Sequence, residues 1–234
     1  MGVTIYPFDK LGEFQNDWLH ARYHFSFSEY RNPERVRFGV LRVINDDIVR
    51  AGGGFGMHPH EDMEIITYVR HGAITHEDSL GNKGRTAAGD VQVMSAGTGI
   101  RHSEANTEDE DTNLYQIWIF PREKGVAPRW DQRSFPKDPV NDNLHLLVSG
   151  REEDAESGAL YIHQDAYIYG GRLNAGAAVT QKLAHQGYLL VSEGEILLNG
   201  QKMRKGDGAE ITDSAAEIRA ESNAEVVLID VPPR

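Results

Sequence analysis

The chain of 234 residues has no cysteine. That absence removes disulfide frameworks, zinc ribbons, iron–sulfur clusters and thiol nucleophiles together, so any metal must be held by nitrogen and oxygen. Basic residues are scarce: 24 Lys and Arg stand against 36 Asp and Glu, for a formal net charge of −12. Affinity for phosphates comes from Lys and Arg, so neither nucleic acid nor anionic lipid is an expected partner. No apolar stretch approaches the roughly 20 residues that span a bilayer. Met1 to Lys10 lacks the basic start and apolar run of a signal peptide, and Tyr6 breaks the myristoylation pattern. The expectation is a soluble, cytoplasmic protein without a membrane partner. Helical periodicity is also missing, except for a short piece near Gln15–Ala21.

What is present is strand signal. Gly39–Asn45, Glu64–Val69 and Asn113–Phe120 are rich in β-branched, aromatic and aliphatic residues. Turn pairs such as Gly81-Asn82, Ser157-Gly158 and Asn199-Gly200 punctuate short segments, and 24 glycines suit many tight turns. Hydrophobic residues at 39% and charged residues at 26% fit a globular chain able to bury a core. The pattern predicts an all-β protein, a sandwich or barrel. Pro121 to Asn143 breaks the rhythm with four of the nine prolines and reads as a linker between two β-units. A weak repeat supports two units: Gly72-Ala-Ile-Thr-His, a turn, then Gly89-Asp90; and Gly194-Glu-Ile-Leu-Leu, a turn, then Gly206-Asp207. The expected division is 1–122, a linker over 123–143, and 144–234.

Ten histidines are present. His20, His24, His71, His76, His145, His163 and His185 have no partner at ligand spacing and read as surface or core histidines. Four other positions form a constellation. His58 and His60 lie two apart at the start of a strand, and His102 and Glu104 lie two apart in another. Residues two apart in a strand share a face, roughly 7 Å from one another. If the two strands are neighbours, three imidazoles and a carboxylate converge. Such donors suit iron, manganese, cobalt, nickel, copper or zinc, and four of them leave positions open for water or substrate. His60-Glu-Asp-Met-Glu64 is not a zincin motif, because position 64 is not histidine. Gly52 to Gly56 is not a P-loop, because no Gly-Lys-Ser/Thr follows.

Gly52-x5-His58-x-His60-x3-Glu64 with Gly72 resembles the first cupin motif, and Gly89, Gly97 and His102-x3-Asn106 resemble the second. More narrowly, Tyr23-His-Phe-Ser-Phe27, Leu41-Arg-Val-Ile-Asn-Asp46, Thr75-His-Glu-Asp-Ser79, Ser95 to Glu104 and Gln116-Ile-Trp118 make nearly the whole chain similar to the pirin family, close to its bacterial quercetinase-like members. The resemblance implies a bicupin, two β-barrel domains in one chain, with one divalent transition metal in the N-terminal barrel at His58, His60, His102 and Glu104. Iron(II) comes first among the candidates, with copper, manganese, cobalt, nickel or zinc open. It implies quercetin 2,3-dioxygenase activity: oxidative opening of a flavonol's central ring by O2, with release of carbon monoxide. Two departures from the cupin pattern stand out. Seven residues separate Glu64 from Gly72 where six are usual, and a typical cupin uses its first-motif glutamate, here Glu64, as ligand. Strand parity alone leaves Glu64 open; the pirin resemblance favours Glu104.

Counting from the repeat glycines matches His58 and His60 to Thr180 and Lys182, and His102 and Glu104 to Arg219 and Glu221. The second barrel is therefore expected to lack ligands. Glu104 is the candidate catalytic base, taking the flavonol hydroxyl proton, and Phe55, Met57, Met63 and Trp118 are candidate apolar walls. The rival expectation is a non-enzymatic, metal-binding regulator with a protein partner.

Overall fold

The computed structural model describes residues 2–234. The strands assemble into two sandwiches, each a seven-stranded sheet facing a four-stranded one. In the first, the large sheet runs in the order Arg129–Arg133, Val91–Ser95, Glu64–His71, Thr112–Ile119, Leu41–Val49, Leu19–Tyr23, Gly12–Gln15. Its small sheet runs Gly54–His60, Ile100–Ala105, Ala73–Asp78, Lys83–Ala87. The second sandwich repeats the plan with Gln186–Glu193 and Ala224–Val231 at the centre of its large sheet. Only two short 3₁₀ turns, Phe8–Lys10 and Glu152–Ser157, interrupt the strands among the described residues. The chain is all-β with two cupin domains.

The large sheets lie back to back, and this explains the longest apolar runs. Tyr188, Leu190, Val227 and Ile229 point outward into a shared cluster with Ile44, Ile66, Tyr115 and Ile117 of the first sandwich. Their alternating neighbours Leu189, Val191, Val226 and Leu228 point inward to the second sandwich's own core. A strand buried on both faces has no polar phase, so it reads as a continuous apolar run. Buried polar groups tie the joint in register. Arg70 reaches from the first sandwich to Ser192 of the second, with its Nε 2.9 Å from Ser192 Oγ, while its Nη1 donates to Asp46 at 2.6 Å.

Three sequence expectations are corrected here. The segment near Gln15–Ala21 is a hairpin, Gly12–Gln15 with Leu19–Tyr23, not a helix. Asn16 Oδ1 accepts the backbone N–H of Trp18 and of Leu19, and this side-chain turn outcompetes a helical start. The sheets do not divide at the expected boundaries. Val3–Tyr6 crosses to pair with Gly208–Ile211 of the second sandwich. Residues 123–143 are not a free linker either: Arg129–Arg133 adds to the edge of Val91–Ser95, and Asp90 accepts hydrogen bonds from Ser134 and Lys137. Gly97, at φ +48°, lets this strap close on the first sandwich, because a Cβ there would stand 2.0 Å from the Val126 carbonyl oxygen.

The interiors of the two sandwiches differ. The second is one continuous apolar cluster including Val179, Ile196, Leu198, Ala216 and Ile218. The counted equivalences are out of phase: Thr180, Lys182, Arg219 and Glu221 are exposed on its outer face, alternating with the inward apolar residues. In the first sandwich the core is broken into three small clusters, around Leu19 and Val49, Ile65 and Met94, and Val69 and Leu114. Between them lie buried polar side chains, and these build the site.

Candidate metal centre

The strands Gly54–His60 and Ile100–Ala105 are hydrogen-bonded neighbours, with His102 opposite His58 and Ile100 opposite His60. His58, His60 and His102 therefore share one face, as their spacing requires. A bulge between His102 and Glu104 puts Glu104 opposite Phe55. The extra residue reverses the parity of the Gly54–His60 strand, so Phe55 turns to the same interior as the histidines while Met57 stays largely exposed. Gly54 makes this close pairing possible, since a Cβ there would meet the Glu104 carbonyl oxygen at 2.6 Å.

The three imidazoles converge. Ring centroids are 4.5 Å apart for His58 and His102, 4.8 Å for His58 and His60, and 5.0 Å for His60 and His102. One nitrogen from each lies within 4.8 Å of the other two. His58 Nδ1–H donates to the Gly56 carbonyl at 2.6 Å, which leaves Nε2 as its lone-pair nitrogen. His60 Nε2 and His102 Nε2 are buried and have no hydrogen-bond partner among the described residues. Burial, then the neighbouring histidines, push His60 down to about 4 and His102 to about 2. His60 and His102 are thus neutral at physiological pH, and the three rings turn nitrogens toward a common space. Orphaned buried nitrogens are costly unless something meets them, and three imidazoles fit a divalent transition ion.

Glu104 stands beside this cluster without joining it. It is fully buried, lines the same cavity, and is held by the facing sheet. Oε1 accepts from Thr67 Oγ1 at 3.0 Å and from Gln92 Nε2 at 2.5 Å, and Oε2 accepts from Gln116 Nε2. Burial pushes its carboxyl up to about 7, against the pull of those three hydrogen bonds. The donors form a row: Gln92 pairs with Thr67, Thr67 with Gln116 and Gln116 with Asn45 across four adjacent strands. Single-residue reading missed this row. Its signal is a polar residue at the inward phase of otherwise apolar strands, as in Ile65-Ile-Thr67-Tyr-Val69 and Leu114-Tyr-Gln116-Ile-Trp118. Asp47, also facing the cavity, was missed too; burial, then the negative charge of Asp46 and Glu104, holds its carboxyl well above the usual range.

Glu64 is elsewhere. Asp62, at φ +47°, turns the chain between Pro59 and Glu64, so parity counted from His60 does not carry across. Glu64 begins a strand of the large sheet and shares the phase of Ile66, which faces the second sandwich. Its Oε2 accepts from Ser95 Oγ at 2.7 Å. Of the other histidines read as incidental, His76 lies directly behind His102, Nδ1 to Nδ1 at 3.4 Å.

The cavity has a volume of about 430 Å3 and aromatic walls: Trp18, Phe27, Phe55 and Trp118. Trp118 packs edge-on against His60 at 4.9 Å and against Phe27 at 5.4 Å. A neighbouring groove of about 580 Å3 shares Phe27 and Trp118, and Met63 lines it rather than the histidine cavity. The groove is lined by no imidazole or carboxylate, so the smaller space is the candidate site.

Comparison with known proteins decides the family. The family model described as Pirin matches residues 7–119, and the one described as Quercetinase C-terminal cupin domain matches residues 146–231. A pirin-like protein of Caulobacter vibrioides is 51% identical over 227 residues, covering 96% of this chain and 97% of the relative. The chain belongs to the pirin family. Within it, the quercetin 2,3-dioxygenase of Escherichia coli K12 is 44% identical over 229 residues, 96% of each chain. The crystal structure of the bacterial pirin YhhW from Escherichia coli in complex with nickel(II) superposes with a TM-score of 0.92 at 41% identity, covering 100% of both chains. The pirin fold thus accounts for the bicupin architecture along the full described length.

Proposed function

We propose that this pirin is a metal-dependent dioxygenase of the quercetin 2,3-dioxygenase type, opening the central ring of a flavonol with O2 and releasing carbon monoxide. The observation that carries the reading is the convergence of three imidazoles, two with orphaned buried nitrogens, beside a buried carboxylate in an aromatic-walled cavity. His58, His60 and His102 would hold a divalent transition ion, iron(II) first, with Glu104 the carboxylate available to complete the set. The nickel(II) complex of YhhW supports a divalent ion in this family. When bound, the ion polarises a substrate oxygen and brings an electron-rich enolate and dioxygen together.

The chain's own residues supply the rest. A cavity of about 430 Å3 is in the range that encloses a planar aromatic ligand. Phe27, Phe55 and Trp118 offer apolar surface to its rings and exclude water. A flavonol carries an acidic enolic hydroxyl beside a carbonyl. Glu104, pushed up to about 7, is matched to take that proton near neutral pH. Thr67, Gln92 and Gln116 hold the carboxylate in place in the cavity wall. The test is oxygen uptake by purified, metal-loaded protein across a flavonol panel, with elemental analysis of the same sample. Uptake with carbon monoxide release is expected. Bound metal without uptake for any of iron, copper, manganese, cobalt or nickel would replace the enzyme by a metal-dependent regulator.

A further inference from the structure

Behind His102 lies a buried chain of groups that the reaction does not use directly. Asp78 sits opposite His102 and His76 opposite Glu104 in the register of the adjoining strand. Asp78 Oδ1 accepts the backbone N–H of Leu80 at 2.9 Å and of Asn82 at 3.1 Å. Asp78 Oδ2 lies 2.9 Å from His76 Nε2, and His76 Nδ1 lies 3.4 Å from His102 Nδ1. The His76 ring is 1% exposed and stacks on Trp130 at 4.8 Å and 9° between planes, so it cannot turn over freely.

We propose that Asp78 and His76 are positioning residues that lock His102 in its Nδ1–H tautomer and so aim its Nε2 lone pair at the metal. The logic is donor and acceptor parity. A carboxylate only accepts, so His76 must carry its proton on Nε2. His76 Nδ1 is then an acceptor, and only a proton on His102 Nδ1 satisfies the contact. The remaining nitrogen, His102 Nε2, is the buried atom with no partner. The inference rests on the metal reading above, because the lone pair matters only if an ion meets it. Partners of this kind fix the orientation of ligating histidines, and their loss typically weakens metal binding about 10–100-fold.

Asp78→Asn inverts the chain with one atom changed. The Leu80 and Asn82 backbone donors claim the Asn carbonyl oxygen, which places its NH2 against His76 Nε2 and against Asn82 Nδ2, whose own amide can turn to present its oxygen. His76 must then move its proton to Nδ1, and His102 must move its own to Nε2, into the lone pair the metal needs. Two measurements test this on the full chain. The first is the tautomer of His102 in metal-free protein, read from its ring nitrogen shifts by NMR. Nδ1–H is expected in the wild type and Nε2–H in Asp78→Asn. The second is Ni(II) affinity by chelator competition, expected to fall about 10–100-fold in Asp78→Asn and in His76→Phe. Glu77→Gln, on the exposed side of the same strand, should leave it unchanged. An Nε2–H His102 in the wild type overturns the proposal, even if both variants fail to fold. So does a folded Asp78→Asn protein that binds Ni(II) within threefold of wild type. Absence of Ni(II) binding by the wild type overturns the metal reading itself, which the intact Ni(II) binding of a failed relay would not.

Discussion

Replacing Glu104 by Gln separates proton removal from metal holding. The side chain keeps its size, and its amide oxygen can still accept from Thr67 Oγ1 and Gln92 Nε2. The new NH2 would face Gln116 Nε2, donor against donor. Among the described residues Gln116 has no other side-chain hydrogen bond, so its amide can turn to present oxygen instead. The fold therefore loses little, because burial already disfavours the charge that the amide removes. Turnover should suffer far more: loss of a general base costs ~10²–10⁴ in rate, or about 3–5 kcal/mol of barrier. The pH profile supplies a second readout. Activity requires ionised Glu104, so it rises with pH through the group's pKa. That pKa is about 7 in the metal-free site, and a nearby cation moves the limb lower by favouring the carboxylate. Oxygen uptake and metal content should be measured together from about pH 5 to about pH 8, a window that brackets the carboxyl. We expect Glu104→Gln to retain metal on the three histidines while turnover collapses and the acid limb disappears. Glu64→Gln, whose side chain faces Ser95 on the far side of the sheet, should stay within a few-fold of wild type. A Glu104→Gln enzyme with more than one-tenth of wild-type turnover, or with the same acid limb, would refute the assignment of the base.

Elemental analysis should find one ion per chain, lost in the His58→Ala, His102→Ala double variant; two ions, or one that survives, would place the metal elsewhere. Chelation should leave the β-sheet circular dichroism intact, because the apolar cores of the second sandwich and of the joint contain no ligand; collapse of that signal would make the ion structural. His24 is buried against Tyr188 and pushed down to about 3 by burial, then by Arg35 and Arg70. Its folded pKa lies below its unfolded value of about 6.5, so the unfolded chain binds the proton first. The contribution of His24 to stability should therefore fall by about 1.4 kcal/mol per unit as pH drops from about 6.5 towards about 3, and His24→Gln should remove that contribution in urea titrations. Arg70→Ala removes the buried partner of Asp46 and Ser192 across the joint and should cost about 3–5 kcal/mol; an unchanged melting temperature would show that the network contributes nothing.

The order of residues along the chain determined the two sandwiches and the histidine cluster. Strand alternation is a local property, so His58 and His60 had to share a face, as did His102 with Glu104. The broken apolar phase at Thr67, Gln92 and Gln116 was also in the sequence, although it takes the sheet register to show that these residues form one row. What alternation cannot carry is direction across a turn or a bulge. Asp62 redirects Glu64 away from the cavity, and the bulge opposite His102 swings Phe55 into it while leaving Met57 outside. The same limit explains the out-of-phase matching of Thr180 and Arg219, where counting from a glycine assumes turns of equal length. Pairings between residues far apart in sequence were decided by tertiary structure alone. Val3–Tyr6 joins the second sandwich, Arg129–Arg133 edges the first, and Asp78 meets His76 behind His102. A strand edge or a buried acceptor is satisfied by whichever chain segment reaches it, and only the packed fold determines which segment that is.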